Sequence, residues 1–166
     1  MNHTIPLLLL NLVFMLPAAA QHNNQVKWWN PAENGFPVIE GQAWGGLTEE
    51  PYDRLPARAK AVVREAVWNL GKQASGLMIR FRSNASHIRV RYTVSGAHEM
   101  NHMPATGVSG VDLYAIDSEG RWRWSRGLRE FSDTITYDFQ ELQKNDQYHQ
   151  YGREYRLYLP FVVKGS

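Results

Sequence analysis

Two short patterns in this sequence place residues at spacings that catalytic sites use. His98-Glu99-Met100-Asn101-His102 satisfies H-E-x-x-H, in which one helical face presents two imidazoles to Zn²⁺ while the Glu activates water. Asp146-Gln147-Tyr148-His149 satisfies D-x-x-H, and Gly107-Val108-Ser109 resembles a turn that exposes a nucleophilic Ser. The zinc reading needs a stable helix, yet Ser95-Gly96 precede the motif and Pro104 follows it. A third ligand does not stand out, although Glu119 and His149 exist. The expectation is a polar loop with two hydrogen-bonded His. Nucleophilic catalysis needs Ser, His and a carboxylate within hydrogen-bond reach, plus an oxyanion hole. Val111 occupies the last position of G-x-S-x-G, and neither Ser109 nor His149 lies in a strand–turn–helix context. No catalytic residue, metal ligand or cofactor is therefore expected in this chain.

A third constellation is aromatic: Trp28, Trp29, Trp44, Trp122, Trp124, Tyr148 and Tyr151, several of them beside Arg or His. Sugar recognition uses such faces, because the C–H side of a pyranose is apolar and its edge polar. Alternation puts Trp122 and Trp124 on one sheet face and Arg121 and Arg123 on the other, with core packing the expectation for the Trp pair. His98, Asn101 and His102 lie in the one long irregular stretch, Ser95 to Gly110; loops of that length in compact domains commonly carry function. These three residues, with Trp124, are the candidates for contacting a ligand or lining a groove.

The elements that must hold these residues are mostly strands. Leu77, Ile79 and Phe81 alternate with Met78, Arg80 and Arg82; Ile88, Val90, Tyr92 and Val94 alternate with Arg89, Arg91 and Thr93. Joined by Asn84-Ala85-Ser86, they read as a hairpin with one buried and one Arg-rich face. Val111–Ile116, Trp122–Trp124, Ile135–Phe139 and Tyr155–Leu159 read as further strands, and Phe36–Glu40 as an edge strand containing Pro37. Pro56 followed by Ala57 to Ala61 predicts a short helical turn, and Val62–Leu70 a strand after it. Short strands at this spacing predict an all-β fold: a jelly-roll-like antiparallel β-sandwich with one short helical turn.

Pro6 to Ala20 carries an apolar run ending in Ala18-Ala19-Ala20, so residues 1–20 read as a cleaved signal peptide, residues 21–34 as a polar lead-in and 35–166 as one domain. The run is short for a membrane span, which needs about 20 apolar residues. No second apolar run follows, and a secreted or periplasmic location is the expectation. There is no cysteine, so core burial alone must hold the domain. Lys and Arg total 18 against 16 acids, a net charge of +2 that gives no reason to expect a nucleic-acid partner.

Pro51-Tyr52-Asp53-Arg54-Leu55-Pro56, Val67-Trp68-Asn69-Leu70, Gly76 to Phe81, Ile88 to Tyr92, Gly110-Val111-Asp112-Leu113-Tyr114 and Arg153 to Pro160 form an ordered set. The set resembles the N-terminal β-sandwich domain of bacterial SGNH/GDSL-type esterases, whose motif G-x-D-L-Y matches Gly110, Asp112, Leu113 and Tyr114. The resemblance implies an accessory domain fused ahead of a C-terminal α/β domain that carries the catalytic Ser, Asp and His and deacylates carbohydrate esters. None of those catalytic positions aligns in this chain. A strand-end role, bonding backbone amides of the preceding loop, is the expectation for Asp112.

The function read from the sequence is thus a non-catalytic accessory domain of a secreted esterase, packing on a catalytic domain and helping to shape its substrate groove. The alternative is a stand-alone secreted carbohydrate-binding module. An accessory domain should expose an apolar patch around Tyr158, Leu159, Phe161 and Val162, which an autonomous module should bury.

Overall fold

The computed structural model describes residues 26–143 and 146–161. The signal peptide expected over 1–20 lies outside the described residues. Two antiparallel sheets make an all-β sandwich. β1 (Ile39–Glu40), β2 (Met78–Ser83), β8 (Arg153–Tyr158), β4 (Asp112–Ile116) and β5 (Trp122–Ser125) pair in that spatial order; β3 (Ile88–Tyr92), β7 (Ile135–Phe139) and β6 (Leu128–Glu130) form the second sheet. The last strand, β8, therefore sits between β2 and β4, in register Ile79 with Leu157 on one side and Leu113 with Leu157 on the other.

The alternation expected from the sequence sets the core. Ile79, Leu113, Ala115, Tyr155 and Leu157 point inward from the five-stranded sheet, and Ile135, Tyr137 and Phe139 from the other. Phe81 stacks on Tyr155 at 5.4 Å between ring centroids, and Tyr137 on Phe139 at 6.0 Å. Leu113 and Tyr155 are wholly buried; truncating a leucine in such a place costs about 2–5 kcal/mol. The Arg-rich face is neutralised in pairs: Arg80 bonds Glu154 at 2.8 Å and Glu40 at 3.3 Å, and Arg89 bonds Asp138 at 2.8 Å.

Three expectations are corrected. First, β2 and β3 do not form a hairpin. β2 pairs with β1 and β8, β3 pairs with β7, and Asn84–Ser86 carries the chain from one sheet to the other. Alternation reports which face a strand buries; two strands in facing sheets bury their apolar sides toward each other just as hairpin partners bury theirs together. Second, the strand expected over Val62–Leu70 is a helix, α1 (Glu65–Gly71), preceded by a 3₁₀ turn at Ala57–Ala61. Its anchor is Trp68, buried, with Lys72 Nζ 4.8 Å from the ring centre and the Lys72 ammonium bonded to buried Asp53 at 2.7 Å. Two further short helices, α2 (Ala105–Val108) and α3 (Gln147–Tyr151), exceed the one helical turn foreseen.

Third, Trp122 and Trp124 do not join the core. Tyr114 pairs with Trp124 and Ala115 with Arg123, and Ala115 is the buried member, so both Trp project from the outer face. β5 is the edge strand of the sheet, and its inward side meets Asp117, which Arg123 bonds at 2.9 Å, rather than a hydrophobic layer. The adjacent Trp28 and Trp29 pack on the domain: Arg91 lies 3.8 Å over the Trp28 ring and Trp29 packs against Phe81 at 5.9 Å.

Candidate functional site

The long loop before β4 is shaped by backbone bonds, not by a helix through the H-E-x-x-H residues. Met100 and Met103 exchange N–H···O=C bonds of 2.9 and 3.0 Å, closing a tight turn over Asn101 and His102. His98 turns toward Phe131, 6.1 Å between ring centres, while His102 lies exposed on an open hollow of about 650 Å³ lined by Glu99 to Pro104. Asn101 shares that hollow. Among the described residues no group of three or more His, Asp or Glu is placed to share a metal ion.

After Pro104, α2 turns once and delivers Ser109 into the interior. Ser109 is fully buried, its hydroxyl donates to the His98 carbonyl at 2.9 Å, and its own carbonyl accepts from the Tyr92 hydroxyl. Burial, followed by the neighbouring Tyr137, pushes the Tyr92 phenol well above the ordinary tyrosine range, so it stays a neutral donor. A Ser held in this way is a tie between loop and sheet, not an exposed nucleophile. The D-x-x-H pattern has an equally local explanation. Asp146 is the N-cap of α3, accepting from the N–H groups of Tyr148 at 2.9 Å and His149 at 3.0 Å, and it also pairs with buried Arg153. No hydrogen bond joins His149 to Ser109 among the described residues.

Each position of G-x-D-L-Y has a distinct task. A side chain on Gly110 would place its Cβ 2.2 Å from the Thr106 carbonyl oxygen and 2.7 Å from the Tyr137 hydroxyl, so only glycine lets the α2 turn close against β4. Leu113 fills the core. Asp112 and Tyr114, two apart on β4, share the outer face. The Trp124 indole N–H donates to Asp112 Oδ1 at 2.8 Å, in place of the backbone amides expected for this Asp. The Tyr114 ring meets Tyr158 edge-on, 5.6 Å between centres and 82° between planes.

Register brings Arg156 opposite Tyr114 and Tyr158 opposite Asp112. The Arg156 guanidinium lies 3.9 Å over the Trp122 ring. Asp112, Tyr114, Trp122, Arg156 and Tyr158 thereby line a shallow groove of about 400 Å³ on the outer sheet face. The sequence offered Trp124 as a groove residue, Trp122 only as one of a set of aromatics and Tyr158 only as part of an apolar patch; Arg156 was not singled out. The usable signal was the shared period of two in Asp112/Tyr114 and Arg156/Tyr158. Trp124 belongs to this groove's margin, while His98, Asn101 and His102 belong to the loop before β4.

Around the end of β8, Tyr158 and Phe161 are each more than one third exposed, whereas Leu159 packs against the core; Val162 lies outside the described residues. The Phe161 carbonyl accepts from Ala74 N–H at 3.0 Å just beyond α1, where Leu70 is exposed. No helix among the described residues is long and apolar enough to cross a membrane.

Comparison with known proteins agrees with this fold. The family model described as "GxDLY: N-terminus of Esterase_SGNH_hydro-type" matches residues 26–163. The fold is similar to that of a solved structure, a GDSL-like lipase from Bacteroides ovatus ATCC 8483, with a TM-score of 0.63 and 19% identity. That match covers 76% of this chain and 35% of the other, so the likeness is one of fold over about a third of that protein. Among curated proteins, none matches the sequence. With the motif glycine, aspartate, leucine and tyrosine each in a defined place and the model spanning the whole described sandwich, this chain belongs to the GxDLY family of N-terminal domains of SGNH hydrolase-type esterases.

Proposed function

We propose that this domain is the non-catalytic accessory part of an exported SGNH-type esterase acting on carbohydrate esters, and that it packs against the catalytic domain and helps to wall its substrate groove. The observation that carries the reading is the family match across residues 26–163, a family defined by its place ahead of an esterase domain. The geometry supports it: Ser109 is buried and bonded to a backbone carbonyl, and Asp146 caps a helix, so the patterns that imitate a triad are committed to structure.

Packing on the catalytic domain falls to the surface where the chain leaves β8. Phe161 and Leu70 are exposed there, and an exposed apolar patch of this kind suits an interdomain contact. The His98–His102 loop, with its open hollow, is the segment proposed to border the groove.

The test is the mass of the native protein in the source cells' exported fraction, detected with an antibody to this domain. The reading expects a species at least about twice the size of a domain of this class, which averages roughly 100–150 residues. A band at or below the 19.1 kDa of this chain would overturn it.

A further inference from the structure

The outer face of the five-stranded sheet carries more chemistry than interdomain packing requires. Elsewhere on that face the cations are neutralised, Arg80 by Glu154 and Glu40, and Arg82 by Glu154. Arg156 is different. It forms no ion pair among the described residues, its Nε is shielded from solvent without a hydrogen-bond partner, and its guanidinium carbon lies 3.9 Å from the centre of the Trp122 ring. In the same groove, Asp112 uses Oδ1 for the Trp124 indole, and among the described residues no hydrogen bond engages Oδ2. A donor fork and a free acceptor thus stand among exposed aromatic rings, with Trp124 56% and Tyr158 39% exposed.

We infer that this groove binds a neutral pyranose unit of a polysaccharide. The argument is complementarity of three kinds. Asp112 sits between Trp124 on β5 and Tyr158 on β8, and neighbouring strands lie about 4.8 Å apart, a spacing on the scale of one sugar ring. Aromatic faces accept the apolar C–H side of such a ring, while Asp112 Oδ2 accepts from its hydroxyls and Arg156 donates to their oxygens. The carboxylate and guanidinium cancel, so the groove selects hydroxyl-rich ligands over anions or cations. Its volume of about 400 Å³ and open form suit one ring of a longer chain passing across the sheet. The inference goes beyond the accessory role and does not need the catalytic domain, because every residue involved lies on β4, β5 and β8.

The Trp124 indole N–H is a built-in reporter, since any hydroxyl that competes for Asp112 must alter it. The experiment titrates the nitrogen-15-labelled chain with cellohexaose, xylohexaose and mannohexaose up to about 10 mM, enough to register a millimolar Kd. The Trp124 signal is assigned with Trp124→Phe. At least one of these neutral probes is expected to shift the signal saturably, with affinity falling roughly tenfold or more in both Arg156→Met and Asp112→Asn. Retained amide dispersion in the two variants shows that they fold. No shift with any of the three, or shifts unchanged in both variants, would overturn the inference. So would binding of hexagalacturonate alone, which would make the groove an anion site. A failed titration leaves the mass of the native protein, and hence the accessory reading, untouched.

Discussion

Trp124 reaches across the β4–β5 pair and donates its indole N–H to Asp112 at 2.8 Å. The aspartate of the family motif is therefore a side-chain clamp between neighbouring strands, and it sets the attitude of an exposed tryptophan on the sheet edge.

Replacing Asp112 with Asn should loosen Trp124 without unfolding the domain. The bond is exposed, so the stability loss is expected to stay below about 1 kcal/mol by urea unfolding, while the Trp124 indole signal moves. A large loss of stability with an unmoved indole would contradict the clamp.

Gly110→Ala should be far more costly. The clashing atom at 2.2 Å is a backbone carbonyl that cannot step aside, whereas a Cβ on Gly35 meets nothing within 4 Å. Urea unfolding is expected to show a loss of about 1–3 kcal/mol or more for Gly110→Ala and close to none for Gly35→Ala. Equal values would remove the close-approach explanation of the motif's glycine.

Asp117 closes the turn between β4 and β5. The Arg121 backbone N–H above all, with the side chains of Arg123 and Arg121 and the Glu119 backbone N–H, holds its carboxyl well below the usual carboxylate range; burial, second only to the Arg121 backbone bond, opposes them. A folded-state value below the unfolded one means that the contribution is complete above the unfolded pKa, about 4, and is lost as pH falls through the folded value. The Tm gap between the native chain and Asp117→Asn should accordingly be widest near neutral pH and narrow on acidification below about pH 4. A gap independent of pH would contradict this.

Asp146 combines a helix cap with an ion pair to buried Arg153. Asp146→Ala removes both, leaving the guanidinium buried with no ion-pair partner among the described residues, and is expected to cost about 3 kcal/mol or more. Asp146→Asn keeps an acceptor for the cap and should fall between the two in thermal unfolding. Asp146→Ala with native stability would show that the D-x-x-H pattern is not structural.

Much of the sandwich was legible because period-two alternation is a direct record of burial: Ile79 and Phe81, Ile88 and Val90, and Ile135, Tyr137 and Phe139 all face inward as their spacing requires. Partner choice was not, since β2 pairs with β8 from the far end of the chain and local sequence carries no trace of that. α1 was misread because Val62, Val63 and Val67 imitate a strand, while a single buried Trp68, lying under Lys72, decides for the helix. Trp122 and Trp124 were placed on the correct common face but assigned the wrong side, because an edge strand has no second sheet to bury against. The loop residues His98, Asn101 and His102 stood out by type; the place of Arg156 and Tyr158 in the groove did not, because they become neighbours of Asp112 and Tyr114 only when β8 inserts beside β4.

The most direct test of the central claim is hydrolysis of p-nitrophenyl acetate by the purified domain, alongside Ser109→Ala and His149→Ala. The account predicts the same slow rate for all three, no faster than the background that accessible imidazoles and amines give with this ester, because the proposed accessory role leaves the chemistry to a separate domain. Turnover by the native chain that either substitution abolishes would contradict it, and loss in Ser109→Ala would make the buried Ser109 part of an active site.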